Sequence, residues 1–380
     1  MPPGRPALTR CAQACKQQKV KGSHGESRVQ QKVSDGDRLH HEDLAVGKPY
    51  LFGHKVVTME EIIAFGRAFD PQPMHTDEEA AKASPVGGLC ASGWHTCAMM
   101  MRMLVDGLVG QLASLGSPGV DEVRWKRPVR PGDVLSARYT VQEKRVLASR
   151  PDVGISKVLV EAVDAHGEVP ATWLTNQLTR VRHPEPATPA ASPAARREKA
   201  PMPDLWDAPA EGGIDDGFFE DRMIGETGDL GSHTFTREEM VAFARAYDPQ
   251  PFHLDEAAAR DSLFGGLCAS GWHTAAHLIR GIIVTRVQAN GIAPAAVMAT
   301  EGRRAAYGPS PGFRDLRWLK PVYVGDTISY RGRLIEKIDL RTRPNRGLLA
   351  SAMQGRNQRG EIVFSVTSLV LADRREPLRG

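Results

Sequence analysis

Apolar residues at Trp94, Ala98, Met101, Val105, Leu108 and Leu112 recur at intervals of three or four, and few polar residues interrupt the other faces. That period is helical, and a helix apolar on most sides must be buried rather than laid on a surface. Ahead of it stands a shorter amphipathic run, residues 59–69, opened by Thr58 with Glu61 three positions later, the signature of a capping box. The run stops at Asp70, because Pro71 disfavours helical geometry in the residue before it. The acidic, alanine-rich segment DEEAAKAS (77–84) predicts a second short helix. Beyond the long helix the period shortens. SKVLVEAV (156–163) is rich in branched residues and partly alternates, as a strand does, and PVRPGD (128–133) is a turn between strands.

The whole pattern is written twice. TMEEIIAFGRAF (58–69) matches TREEMVAFARAY (236–247), DPQPMH (70–75) matches DPQPFH (248–253), and GGLCASGWHT (87–96) recurs unchanged at 265–274, all at an offset of 178. VRWKRPVRPGD (123–133) then answers LRWLKPVYVGD (316–326) at an offset of 193, so the second copy carries 15 extra residues. They fall in the Gly/Pro/Ala-rich region 289–312, which predicts a long loop. Residues 361–372, EIVFSVTSLVLA, close the second copy as a strand. Two domains are therefore expected at 40–182 and 214–375, joined by a Pro/Ala-rich extended linker at 183–213 and preceded by a tail at 1–35. Each is a helical preface, one long buried helix and an antiparallel sheet to wrap it, an α+β arrangement.

Charge changes this picture only at the start. The first 34 residues hold seven Lys/Arg against the single acid Glu26, so a total of +4 leaves the rest of the 380-residue chain at about −2. The alkaline pI belongs to the tail, and the body carries no basic excess that points to nucleic acid. The tail lacks the apolar stretch of a secretory signal and is expected to be disordered. Arg102 and Asp106 interrupt the longest apolar run, so no membrane span is predicted. The five cysteines include no CxxC pair or zinc spacing, which fits buried thiols in a reducing, cytoplasmic compartment. No phosphate loop or dinucleotide glycine pattern occurs, and CASGW lacks the glycines of a nucleophile elbow.

Chemistry concentrates in the two duplicated phrases. In DPQPxH two prolines fix two φ angles, so Asp70 and His75, and likewise Asp248 and His253, are held in one stiff corner. A carboxylate and an imidazole held close can share a water, one orienting it while the other takes its proton. The competing reading is a turn-forming Asp and a His that only precedes a helix capped by Thr76 with Glu79. In GGLCASGWHT, Gly93 and Gly271 stand where the buried helices begin, and a helix N-terminus offers unpaired N–H groups to an oxygen that becomes negative. The competing reading there is a glycine needed for packing, with Ser92 as N-cap. His95 and His273 read as satisfied core histidines. Arg102 and Arg280 read as paired or surface groups. Arg124, Lys126, Arg127, Arg314, Arg317 and Lys320 are basic residues open either to coenzyme phosphates or to solvent.

Asp-Pro-Gln-Pro-x-His, then an acidic Ala-rich helix, then Ser-Gly opening a buried helix, resembles the MaoC-like dehydratases, including the (R)-specific enoyl-CoA hydratases of the hot-dog fold, and does so in both copies. The resemblance implies two tandem hot-dog domains, a pseudo-dimer within one chain that further copies can join. It also implies reversible syn addition of water to a trans-2-enoyl thioester. Asp70 and His75 would hold and activate the water, and the Gly93 amide would stabilise the thioester oxygen; Asp248, His253 and Gly271 match in the second copy. Coenzyme A or an acyl carrier enters as part of the substrate, with no separate cofactor and no metal. Many members carry His before the glycine, where this chain has Ser92 and Ser270; a pocket serine of some members is here Met101 and Ile279. The rivals are a thioesterase on the same fold and a non-catalytic acyl-CoA-binding scaffold.

Overall fold

The computed structural model describes residues 38–84, 86–184, 202–207, 209–210, 218–290 and 310–378. The expected basic tail, most of the expected linker and most of the expected 289–312 loop lie outside the described residues.

Each copy begins with an edge strand that periodicity did not announce: β1 (Pro49–Val56) and β7 (Thr227–Thr234). Most of their side chains are exposed, so no alternation marks them. The capping boxes form as predicted. Thr58 Oγ1 accepts from Glu61 N at 3.2 Å and Glu61 Oε1 from Thr58 N at 3.2 Å, starting α1 (Met59–Phe69); Thr236 and Glu239 do the same for α5 (Arg237–Tyr247). Each helix ends where an Asp-Pro follows, with Asp70 and Asp248 as C-caps.

DPQPxH then corrects the expectation of a plain turn. Pro73 and Pro251 sit at the first position of one-turn helices, α2 (Pro73–Thr76) and α6 (Pro251–Leu254), which contain the histidines. The next helices, α3 (Glu78–Lys82) and α7 (Glu256–Arg260), are capped by Asp77 and Asp255, not by Thr76, because the Asp side chains accept from Ala80 N and Ala258 N. The long helices are α4 (Gly93–Gly107) and α8 (Gly271–Asn290). The apolar period runs past the end of α4, so Leu108 is its C-cap and Leu112 lies beyond it, still buried.

After α4 come β2 (Ser114–Gly116), β3 (Gly119–Trp125), β4 (Val134–Leu147), β5 (Arg150–Asp164) and β6 (Ala171–Arg180). After α8 come β8 (Gly312–Trp318), β9 (Thr327–Asp339), β10 (Arg346–Asn357) and β11 (Ile362–Asp373). All pairing between them is antiparallel, and one sheet runs β1-β4-β5-β6-β3-β8-β11-β10-β9-β7, with β2 on β6. The copies meet at β3–β8, where Val120 faces Leu316 and Val123 faces Phe313. At the 193 offset Val120 corresponds to Phe313 and Val123 to Leu316. The junction is thus isologous, as in a twofold dimer.

A single apolar core spans both copies, joining Phe65, Leu104 and Trp173 to Trp272, Phe313 and Phe364. Indoles mark the seam: Trp173 stacks on Trp272 at 5.0 Å and Trp94 on Phe313 at 4.6 Å. Folding therefore buries the two wrapped helices against each other's surroundings as well as their own sheets.

Candidate active site

The stiff corner and the helix start come together in each copy. Asp70 and His75 are both buried, with His75 Nε2 3.5 Å from Asp70 Oδ2. Asp248 and His253 repeat the arrangement at 3.5 Å. Two donors hold each carboxylate. Ser92 Oγ donates to Asp70 Oδ2 at 2.6 Å and Gln72 Nε2 to Oδ1 at 2.8 Å; Ser270 and Gln250 do so for Asp248 at 2.7 and 2.9 Å. Ser92 and Ser270 also cap the long helices, accepting from Trp94 N and Trp272 N.

The imidazoles are fixed in one tautomer by chemistry alone. His75 Nδ1 lies 2.8 Å from the Cys90 carbonyl and His253 Nδ1 2.8 Å from the Cys268 carbonyl. A carbonyl only accepts, so Nδ1 carries a proton, and in the neutral ring Nε2 is the nitrogen whose lone pair faces the carboxylate. At 3.5 Å the Nε2–carboxylate contact is too long for a strong direct bond, and a small polar partner can reach both atoms from beside the line that joins them. The neighbouring thiols do not compete as nucleophiles: burial pushes Cys90 up to about 11 and Cys268 up to about 12.

Gly93 and Gly271 meet the packing reading of the sequence. A Cβ on Gly93 would lie 2.4 Å from Trp125 Cε2, and one on Gly271 2.2 Å from Trp318 Cε2, so an indole lies flat against each glycine and nothing larger fits. Their amides, first in the helices, have no intrahelical partner.

A cavity of about 360 Å³ adjoins the second set of groups. Its wall includes Asp248, His253 and Gly271 from the second copy, and Tyr139, Val160 and Trp173 from the first. The Asp248/His253 corner of the second copy thus opens onto the sheet of the first. At the equivalent sheet positions of the second copy, Met353 corresponds to Val160, Val366 to Trp173 and Gly332 to Tyr139.

Several residues escaped the sequence reading. Gln72 and Gln250 lie inside the repeated phrase, and that duplication was their only signal. Trp125 and Trp318 lie inside VRW and LRW. Arg102 and Arg280 do more than pair locally. Arg102 Nη1 donates to Arg245 O at 2.7 Å, and Arg280 Nη1 to Arg67 O and Ala68 O at 3.2 and 2.9 Å. Each arginine caps the C-terminus of the opposite copy's first helix, just before its Asp-Pro. His95 and His273 are core residues, stacked on Phe65 and Phe243 at 4.6 and 4.5 Å, but they are not satisfied: both ring nitrogens of His95 and Nδ1 of His273 lack partners among the described residues. Most of the remaining basic residues are engaged in ion pairs. Arg127 meets Asp133 and Asp164, Arg314 meets Glu336, Arg317 meets Asp121, and Lys320, on the cavity wall, meets Glu361 at 2.5 Å.

The MaoC like domain matches residues 42–163 and 221–349, and the chain belongs to that family, with two such domains in tandem. The chain is 29% identical over 120 residues to YdeM of Bacillus subtilis (strain 168), covering 31% of this chain and 83% of that one. A MaoC domain protein of Chloroflexus aurantiacus J-10-fl superposes with a TM-score of 0.69 at 17% identity, over 92% of this chain and all of that one. RV0216 of Mycobacterium tuberculosis, a double hotdog protein, superposes with a TM-score of 0.62 at 14% identity, over 89% and 99%. The fold is the double hot dog.

Proposed function

We propose that the chain is a hydro-lyase that adds water reversibly to a trans-2-enoyl thioester. The reading rests on one observation, made twice: an imidazole with its bare Nε2 held 3.5 Å from a buried carboxylate, at the foot of a helix whose first amide is free. A water between Asp70 and His75 donates one hydrogen to the carboxylate and the other to Nε2. As its oxygen attacks the β-carbon, the Nε2 lone pair takes the proton. Electrons move through the conjugated system to the thioester oxygen, where the Gly93 amide and the dipole of α4 stabilise the negative charge. A proton returned to the α-carbon from the same side completes syn addition. Asp248, His253 and Gly271 act likewise, with the acyl group in the cavity walled by Tyr139, Val160 and Trp173. Ser92, Ser270, Gln72 and Gln250 keep the carboxylates aimed. Coenzyme A or a carrier protein forms the remainder of the substrate, and the chemistry needs no other cofactor.

The test is a panel of enoyl-CoA thioesters of varied length and branching, assayed with the parent chain, His75→Ala, His253→Ala and the double variant. Loss of enoyl absorbance without thiol release is expected. Each single variant should retain one site's share, and the double variant should lose at least about 100-fold. Release of free thiol would make the protein a thioesterase. Binding without turnover in the parent chain would make it a scaffold.

A further inference from the structure

We propose that the second copy carries a divalent transition-metal site, best suited to Zn²⁺, formed by His233, Glu239 and His277. The three come from different elements: His233 from β7, Glu239 from the first turn of α5, and His277 from the second turn of α8. One potential ligand atom from each lies within 4.8 Å of the others, so the three must draw in to the roughly 3.3 Å that separates donors on a tetrahedral zinc. His233 Nε2 is 2.7 Å from Glu239 Oε1. The His233 and His277 rings stack at 3.5 Å and 13°, so their in-plane lone pairs run nearly parallel, and binding an ion requires one ring to turn well out of the stack. His277 Nε2 lies 3.2 Å from His273 Nε2, a contact in which one nitrogen donates and the other accepts. So oriented, His277 presents Nδ1 to the ion, and His273 supplies the outer partner that ligating histidines require.

The first copy shows that the fold does not need this cluster. At the corresponding positions it has Lys55 for His233, Glu61 for Glu239, Met99 for His277 and His95 for His273. Lys55 Nζ pairs with Glu61 at 2.5 Å, and Met99 is buried beneath. A Lys–Glu pair over a methionine does the same packing job, yet in the second copy two separate positions have become histidine around the one carboxylate. Two neutral imidazoles and one carboxylate leave open positions on a zinc ion and form a charge set suited to it. The ion would tie β7, α5 and α8 together beside the helix start that carries Gly271.

The experiment uses the full chain, freed of metal by chelation and titrated with Zn²⁺ by calorimetry and with Co²⁺ by visible absorption. The parent should bind one equivalent through these ligands and show the spectrum of low-coordinate Co²⁺ with nitrogen and oxygen donors. Combined His233→Lys and His277→Met install the first copy's own residues and should keep the fold, checked by circular dichroism, while weakening Zn²⁺ by more than about 100-fold, since even outer partners are worth 10–100-fold. Glu239→Gln retains the cap's hydrogen-bonding shape and should weaken Zn²⁺ by at least about 10-fold. The proposal is overturned if the parent binds no Zn²⁺ at stoichiometric concentration. It is equally overturned if the double variant or Glu239→Gln binds as tightly as the parent, which would place the ion elsewhere, such as on Cys11, Cys15 and His24 of the tail.

Discussion

His95 lets a pH effect be worked out in advance. Its ring is fully buried, stacked between Phe65 and the edge of Tyr247, and neither nitrogen has a hydrogen-bond partner among the described residues. Burial, with the charges of Lys55 and His75 adding to it, pushes its pKa down from 6.5 to about 3. In the unfolded chain the same ring takes up a proton near pH 6.5. Below that pH the unfolded state binds a proton that the folded state refuses, so acid favours unfolding. The cost accumulates at about 1.4 kcal/mol per pH unit between pH 6.5 and about 3, and reaches about 2.5 kcal/mol at pH 4.5. His95→Phe keeps the stack on Phe65 and removes the titration. At pH 7.5 it should be close to the parent in stability or more stable, since it also removes two unsatisfied nitrogens that cost about 1–3 kcal/mol each before overpacking is counted. Urea unfolding of both proteins at half-unit steps from pH 7.5 to 4.5 measures the difference directly. The gap in favour of the variant should widen by about 2.5 kcal/mol over that range. Parallel stability curves would refute the argument, because they would mean that His95 takes up its proton in the folded chain as easily as in the unfolded one.

Other consequences follow the site. Ser270→Ala removes both the helix cap and a charge-assisted bond to Asp248, and should lower the stability measured by denaturant midpoint by about 3 kcal/mol while reducing turnover in a His75→Ala background. Gly271→Ala drives a methyl into Trp318, costing about 1–3 kcal/mol and most of that site's rate; Trp318→Phe in the same chain should restore part of the stability. Val160→Met places the second copy's own residue in the first copy's wall. Although 93 positions from His253, it should lower kcat/KM for long acyl chains about 10-fold in the His75→Ala background, and leave the Asp70/His75 site, assayed in the His253→Ala background, near its starting value.

The repeat, the α+β order and the eight site residues were legible because each leaves a local mark. A capping box, an Asp-Pro stop and a three-four apolar period are written within a few residues of what they specify. Asp70, His75, Ser92 and Gly93 stood out because two short phrases recur almost unchanged. β1 and β7 were not legible: each buries few side chains, Phe52 and Leu230 among them, and Gly, Lys, Asp, Ser and His between them leave no alternation to read. The one-turn helices were hidden because Pro at the first helical position and Pro in a turn look alike in sequence. The continuation of the sheet through β3–β8, the indoles against the glycines, and the arginines reaching carbonyls 143 and 213 positions away depend on contacts that no local window contains.

The covalent joining of the two copies has its own effect. In a dimer of identical chains every substitution appears twice, so both reaction centres must tolerate the same wall. Here Val160 and Met353, or Trp173 and Val366, occupy equivalent positions and can differ freely, so a change in the wall beside Asp248 and His253 need not be copied at its equivalent position. One polypeptide can therefore hold a broad centre and a selective one at a fixed ratio of one to one, each tuned by residues that belong to its neighbour.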